Sequence, residues 1–304
     1  TNWEGYRTHL VSVRPSFKPR VLLMGHDMSE IENITLMALG GVVREMNGIT
    51  YYLLVGPQNV HLALESIELN QPEWLGISLY TGLTTYVFEW LLKYKIDKAR
   101  SITKKNISDF ETADKLLKGM VRETNGPVYE GNQLVYAPVI IGGHYNNYNY
   151  RESWERGGEY VIRGKGINIF RDILLGLYNP GIYHDPMPYA NIPRMDREKF
   201  YKDTFEFSDE TKKYALSRIK SILTALGCSY SCTYCYVSSL IDNLREAYKD
   251  FELKPPSIIQ DRLMETVLQE GEDILSLDKI YGVKTTAVFD QADISLNNMN
   301  WWDK

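Results

Sequence analysis

Short, unbroken apolar runs alternate with helical segments through Leu177, and this alternation leaves few folds open to the chain. Each run is rich in Val, Ile or Leu, and a glycine follows it within two residues. Strands without polar alternation are buried on both faces, as in a parallel sheet covered by helices. We therefore predict an α/β fold that begins with a doubly wound, Rossmann-like parallel sheet. The predicted strands are Arg20–Met24, Thr50–Val55, Trp74–Tyr80, Pro138–Ile141 and Tyr160–Arg163.

The turns after these strands are the predicted ligand site, because such sheets bind ligands in a crevice beyond the carboxyl ends of their strands. Glycines there let a large planar or phosphate-bearing ligand approach the backbone closely. The plain alternative is that glycines end strands in any fold of this class. The turns are Gly25-His26-Asp27, Gly56-Pro57, Tyr80-Thr81-Gly82, Gly142-Gly143-His144 and Gly164-Lys165-Gly166.

The second half of the chain has a different texture. Pro180, Pro186, Pro188 and Pro193 fall within fourteen residues and indicate a linker. A second α/β region follows, with a strand predicted over Ile222–Leu226, a helix over Asp261–Leu277 and a strand over Val283–Phe289. We predict an N-terminal tail over 1–17, a first domain over 18–180, a linker over 181–216 and a second domain over 217–304.

Three cysteines, the only ones in the chain, lie within eight residues directly after the strand predicted to end at Leu226. An odd, tightly spaced set suits a metal site better than a disulfide framework. Cys228, Cys232 and Cys235 have the spacing CxxxCxxC, and three thiolates would leave one iron of a four-iron cluster open to a ligand. Zinc remains an alternative, although no histidine lies within forty residues of Cys228, and so do three unliganded thiols.

The cysteine triplet resembles the signature of the radical S-adenosylmethionine (SAM) enzymes, with a glycine before the first cysteine and Tyr234 before the last. That resemblance implies a [4Fe–4S] cluster on Cys228, Cys232 and Cys235, whose open iron chelates SAM and whose electron cleaves it to a 5′-deoxyadenosyl radical. Tyr234 would lie near the adenine, and Asp290, at the end of the next strand, near the methionine end. The usual Gly-Gly-Glu is replaced there by Phe289-Asp290-Gln291.

The first domain, linker and triplet together resemble the cobalamin-binding class of radical SAM enzymes, over residues 18 to 295. The motifs are Gly-Ile-Ser-Leu ending at Leu79, Ile-Ile-Gly-Gly-His ending at His144, and Arg-Gly-Lys-Gly ending at Gly166. His26 lacks the Asp-x-His-x-x-Gly motif of a cobalt-ligating histidine, so we expect no histidine of this chain to ligate the cobalt. The resemblance implies that cobalamin contacts Gly25, His26, Asp27, Ser78, Tyr80, Thr81, Gly142, Gly143, His144, Gly164 and Gly166.

The function implied is that of a cobalamin-dependent radical SAM methyltransferase, which transfers a methyl group from methylcobalamin to an unactivated carbon activated by the 5′-deoxyadenosyl radical. A rearrangement or cyclisation enzyme with the same cofactors is one alternative, and a non-catalytic corrinoid or iron–sulfur sensing protein is another. A methylthio-transferring relative is disfavoured, because the first domain has no cysteine. We expect a small-molecule or peptide substrate and an external electron donor.

Composition narrows the partners further. Lys and Arg total 34 and Asp and Glu 39, and this net charge of −5 favours no nucleic-acid partner. No run of about eighteen apolar residues predicts a membrane span, and no apolar signal segment opens the chain, so a cytoplasmic location is expected. Only the first two strand–helix units of the family's partial (β/α) barrel fit before Lys304, so we expect the barrel to be truncated.

Overall fold

The computed structural model describes residues 18–27, 32–164, 166–185, 192–207, 211–223, 225–226, 260–261 and 263–290. They form two compact units. Described residues up to Asp27, together with Val42–Asp185, make the first unit, and Glu32–Gly41 with the described residues from Ile192 onward make the second. None of the helices described is at once long enough and apolar enough to cross a membrane.

The first unit is an α/β fold around a six-stranded parallel sheet with the order β2-β1-β3-β6-β7-β8. Its strands are β1 (Arg20–His26), β2 (Ile49–Val55), β3 (Trp74–Ser78), β6 (Val139–Gly142), β7 (Tyr160–Gly164) and β8 (Gly181–Asp185), and a separate hairpin pairs β4 (Val128–Glu130) with β5 (Gln133–Tyr136). Its helices are α2 (Leu62–Asn70), α3 (Thr84–Thr103), α4 (Phe110–Thr124), α5 (Asn146–Glu155) and α6 (Ile167–Leu174), whereas α1 (Ile34–Glu45) is divided, with 34–41 in the second unit and 42–45 in the first.

The apolar runs form the core of this sheet, which confirms the predicted fold class. The four residues Val21–Met24 of β1 are wholly buried, and so are Trp74 and Leu75 of β3. Such strands have no polar face to turn to water, so helices must cover both sides of the sheet. All five predicted strands are present, with β3 ending at Ser78 and β6 beginning at Val139.

The segment predicted as a linker contains regular structure. Gly181–Asp185 is the sixth strand of the sheet, paired in parallel with β7 from Tyr160↔Gly181 to Gly164↔Asp185. Further along, the same segment forms the helices α7 (Arg197–Phe207) and α8 (Lys213–Leu216). The prolines around β8 favour the prediction of a linker over that of a strand. Because β8 is an edge strand of the sheet, it can contain polar residues such as His184.

The second unit also combines strands and helices. Its elements are α7, α8, β9 (Ile219–Ile222), β10 (Ala225–Leu226), β11 (Gln260–Asp261), α9 (Met264–Tyr281) and β12 (Ala287–Asp290). β9 and β12 pair in parallel from Ile219↔Ala287 to Ile222↔Asp290, and β10 pairs antiparallel with β11. A parallel pair with a helix preceding its second strand agrees with a strand–helix repeat.

The strand predicted over Ile222–Leu226 is displaced in the structure. The parallel strand β9 ends at Ile222, and Ala225–Leu226 belongs to the separate antiparallel pair. Lys220 and Ser221 are buried in β9 because their polar groups are bound: Lys220 Nζ donates to the carbonyl oxygens of Tyr214 at 2.8 Å and Ala215 at 3.0 Å. The polar residues of β9 therefore prevent its prediction as a buried strand from the sequence.

A buried charge network joins α3, α4 and the start of β7. Lys95 is wholly buried and donates hydrogen bonds to Asp114 Oδ1 at 2.5 Å and to Glu159 Oε1. Glu159 also accepts hydrogen bonds from the hydroxyl of Tyr136 at 3.0 Å and from the amide of Val139 at 2.8 Å. Burial raises the pKa of the Glu159 carboxyl, and the Lys95 ammonium opposes that rise. The network depends on its single wholly buried cation.

Replacement of Lys95 by methionine is expected to lower the free energy of unfolding by about 3–5 kcal/mol, because it leaves a buried carboxylate without its cation. Lys93→Met is the matched control on the same helix, since Lys93 is exposed, and we expect it to change that free energy by less than about 0.5 kcal/mol. Urea denaturation followed by circular dichroism measures both variants. A loss below about 1 kcal/mol for Lys95→Met would mean that the network contributes little.

Candidate functional site

The predicted crevice lies at the point where the strand order of the sheet reverses. β1 has β2 on one side and β3 on the other, so the chain turns to opposite faces of the sheet after these two strands. In open α/β sheets this switch point is the usual ligand site. Gly25 and His26 end β1, and Ser78 ends β3. The amide of Asp27 donates to Val55 O at 3.1 Å and so extends the β1–β2 pairing into the turn.

Three aromatic side chains from three turns meet beyond these strand ends. The ring centroids of His26 and Tyr80 are 6.4 Å apart, and those of Tyr80 and His144 are 5.2 Å apart. His144 is exposed, whereas His26 and Tyr80 are partly buried. Thr81 is exposed and follows Tyr80 at the start of a short 3₁₀ turn (Thr81–Leu83). The structure therefore brings together the predicted residues after β1, β3 and β6.

Gly143 holds the turn after β6 against the end of β3. Leu79 donates its amide to Gly142 O at 2.8 Å, and its carbonyl accepts from the amide of Tyr145 at 3.2 Å. Gly143 has a φ of +97°, and a Cβ there would lie 2.6 Å from Leu79 N and 2.7 Å from Leu79 O. Only glycine fits this close approach of two backbones. The glycine pair thus has a structural role in shaping the crevice.

Two features of the crevice fit a large ligand with polar groups. Ser78 is 2% exposed, and its hydroxyl has no hydrogen-bond partner among the residues that the structure describes. A buried hydroxyl without a partner costs about 1–3 kcal/mol, so its presence favours a ligand that supplies one. At Gly142, by contrast, an added Cβ would meet nothing within 4 Å. The residues present therefore suit a planar cofactor with a polar tail, such as cobalamin.

Gly164 and Gly166 lie at the same edge of the sheet but further along it. Both are left-handed, with φ of +76° and +74°, and Gly166 precedes α6 as its N-cap. The amide of Gly164 donates to Asn147 Oδ1 at 2.9 Å. Because α5, which carries Asn147, begins just after His144, this bond links the turn after β7 to the turn after β6.

Sequence reasoning missed several polar residues at this edge. Asn146 Nδ2 donates to Ile141 O at 2.7 Å, and so fixes the start of α5 to the end of β6. On β7 and β8, Arg163 lies beside His184 in register, and the Arg163 guanidinium is 4.3 Å from the ring centre of Tyr150. Burial, and then the charge of Arg163, lower the pKa of His184. The asparagine-rich run after His144 was the only signal in the sequence.

The predicted cluster ligands Cys228, Cys232 and Cys235, and Tyr234 beside them, lie outside the described residues, so their arrangement stays a prediction. Within the described ranges, no group of three or more His, Cys, Asp or Glu side chains could hold a metal ion. Asp290 ends β12, and its backbone pairs with Ile222 at the end of β9. The predicted role of Asp290 in SAM binding stays a prediction.

Comparison with solved structures gives likenesses to TsrM, a radical SAM methyltransferase from Kitasatospora setae. The TsrM structure with cobalamin and a [4Fe–4S] cluster bound is 14% identical to this chain with a TM-score of 0.50, and the match covers 93% of this chain and 51% of TsrM. The structure with tryptophan substrate and the SAM analogue aza-SAM is 13% identical with a TM-score of 0.49, and covers 93% and 49%.

No protein-family model matches the chain, and no curated protein matches it. The chain spans about half the length of the TsrM structures. At this low identity the likeness concerns the fold alone, and it agrees with the parallel sheet and helices described above.

Proposed function

We propose that this chain binds a corrinoid and an iron–sulfur cluster as part of a cobalamin-dependent radical SAM methyltransferase. The observation that carries this proposal is the convergence of the turns after β1, β3 and β6 on one crevice, in a chain that also contains CxxxCxxC. When bound, the cluster and the corrinoid would supply electron transfer to SAM and methyl transfer to carbon. The likeness in fold to TsrM supports the proposal without extending to substrate or activity.

In this function the chain's own residues hold and shield the cofactors. The Ser78 hydroxyl would hydrogen-bond the corrinoid's polar tail, and the open space at Gly142 would let the tail pack against the end of the sheet. His26, Tyr80 and His144 would flank it, and Gly25, Asp27, Thr81, Gly164 and Gly166 would complete the crevice. Cys228, Cys232 and Cys235 would ligate the cluster.

The remaining assignments concern SAM and the partners of the reaction. Tyr234 would pack against the adenine of SAM, and Asp290 would bind its methionine end. The reaction would also require an external electron donor and a small-molecule or peptide substrate. The backbone of Asp290, at the end of β12, pairs with Ile222 at the end of β9.

Anaerobic reconstitution tests the proposal directly. The full chain is incubated with iron, sulfide and hydroxocobalamin, and then desalted. We expect about four irons and one corrinoid per chain, together with the visible absorbance of an iron–sulfur cluster. Addition of SAM and a strong reductant should then release 5′-deoxyadenosine, detected by chromatography.

Each other outcome of this experiment supports a different function. A single zinc without iron would contradict the cluster assignment. Cofactor binding without SAM cleavage would favour a sensing protein. Once a substrate is found, a product that gains no CH₂ would favour a rearrangement or cyclisation enzyme over a methyltransferase.

A further inference from the structure

A cavity separate from the crevice lies in the first unit, at the amino end of strand β3, whereas the crevice lies at the carboxyl ends of the strands. It has a volume of about 310 Å³ and is bounded by the end of α2, the middle of α3 and the strand β5. Pro72, which precedes β3, lines it at the amino end of that strand, whereas the crevice lies beyond the carboxyl ends. Ligand sites have volumes of about 300–1,000 Å³, so this cavity suits a small molecule.

The cavity contains one partly desolvated cation. Lys98 on α3 lines it and is only partly exposed, and burial lowers the pKa of its ammonium group. In the part of the chain that the structure describes, no hydrogen-bond acceptor or carboxylate is within bonding distance of Lys98 Nζ. Its near neighbour is the ring of Tyr94, whose centre is 5.8 Å away. A cation held in this way gains from an anionic partner.

Glu68 is the acidic residue that lines this cavity, and it is not the anionic partner of Lys98. Its side chain is exposed on α2, and its charge raises the pKa of Lys98 from a distance without forming an ion pair. Solvent screens an exposed carboxylate strongly. Glu68 therefore helps to keep Lys98 charged and leaves its hydrogen-bonding positions open.

Two aromatic residues, Tyr94 and Tyr136, line the cavity and are held in place by their neighbours. The rings of Trp90, Tyr94 and Tyr136 form a stack, with centroid separations of 5.4 Å and 5.8 Å. The Tyr94 hydroxyl donates to Ala137 O at 3.2 Å, and the Tyr136 hydroxyl donates to Glu159 at 3.0 Å. Because both hydroxyls are already bonded to protein, these tyrosines offer a ligand their rings and not their polar ends.

We propose that this cavity binds a small carboxylate with a flat or apolar body. The carboxylate would accept hydrogen bonds from the Lys98 ammonium, and the body would pack against Tyr94 and Leu134. Gln71 and Gln133 also line the cavity. None of the residues that line this cavity belongs to the crevice, so the assignment does not depend on whether the chain binds a corrinoid.

Benzoate and phenylacetate are the probes, and benzamide and phenylacetamide are their uncharged counterparts. Binding to the full chain is measured by calorimetry, and amide shifts of Leu134 and Val135 in NMR spectra locate it. We expect saturable binding of at least one acid, and at least tenfold weaker binding of its amide. Lys98→Met should weaken binding of the acid at least tenfold, which corresponds to about 1.4 kcal/mol. Lys93→Met, an exposed lysine on the same helix, should leave it unchanged.

Several results would overturn this assignment. They are equal affinity of the acid for Lys98→Met and the unaltered chain, equal affinity of acid and amide, and no saturable binding by about 10 mM of either acid. Circular dichroism establishes that the variants are folded, and Lys98→Gln replaces Lys98→Met if the latter is not. The comparison of acid with amide in the unaltered chain decides the question even if both variants fail to fold.

Discussion

The triple variant Cys228→Ala/Cys232→Ala/Cys235→Ala is expected to retain no iron after anaerobic reconstitution, against about four irons per chain for the unaltered protein. Thiolates are the only soft ligands in this segment, so nothing else there would hold an iron–sulfur cluster. Iron and sulfide assays, with the visible absorbance of the cluster, measure the loss. SAM cleavage should disappear with it.

The matched control keeps the cysteines and removes polar neighbours from the same segment. Ser229→Ala/Ser231→Ala should retain the full iron content. Corrinoid binding should survive in both variants, because every described residue of the crevice belongs to the first unit. Iron that persists in the cysteine variant would refute the cluster assignment, and one zinc per unaltered chain would replace the cluster by a tetrahedral site.

Gly143→Ala is expected to lower the free energy of unfolding by at least about 2 kcal/mol and to weaken corrinoid binding at least tenfold. A left-handed backbone costs a side chain about 1–3 kcal/mol, and the new Cβ would overlap the backbone of Leu79. Relief of that overlap would separate the turn after β6 from the end of β3, which are the two sides of the crevice. Urea denaturation and titration with hydroxocobalamin measure the two effects.

The neighbouring glycine is the control for this variant. Gly142→Ala adds the same methyl group into open space, so it should change the free energy of unfolding by less than about 1 kcal/mol. It should nevertheless weaken corrinoid binding, because its methyl group would occupy space assigned to the ligand. Equal stability of the two variants would show that the approach to Leu79 is not tight, and normal corrinoid binding by both would place the ligand elsewhere.

The first unit could be predicted largely from sequence because its central strands are buried on both faces. The segment Val21–Met24 has no polar side, so its run of apolar residues is enough to predict a strand. Parallel pairing then places the turns after β1, β3 and β6 at the same end of the sheet. The meeting of His26, Tyr80 and His144 follows from that rule. Their spacing does not, since it depends on how Gly143 fits against Leu79.

The elements that sequence reasoning missed carry polar residues whose partners are distant in the chain. β9 contains Lys220 and Ser221, which are buried because the Tyr214 and Ala215 carbonyls and the Glu32 carboxylate bind them. The amide of Ser221 donates to Glu32 Oε2 at 2.5 Å across 189 residues of sequence. Apolar periodicity cannot register such a strand, because its burial depends on partners that a local window does not contain.

The cavity beside Lys98 could not be predicted from the sequence for a similar reason. Its residues come from α2, α3 and the β4–β5 hairpin, and the hairpin lies in a stretch that composition alone marks only as polar. Lys98 resembles any other lysine on an amphipathic helix in sequence. Only the packing of β5 against α3 removes water from it and so distinguishes it from Lys93.

The division of the chain into units has a practical consequence for dissecting the protein. Glu32–Gly41, which includes most of α1, packs with the second unit although the chain before and after it belongs to the first. Within that stretch Leu36 and Met37 are wholly buried, and Met37 O accepts a hydrogen bond from the amide of Asp196 at 3.0 Å. No single cut can therefore release either unit intact. A truncated protein ending near Asp185 would lose the Asp196 amide that pairs with Met37 O and would keep only the Glu32–Gly41 stretch of the second unit.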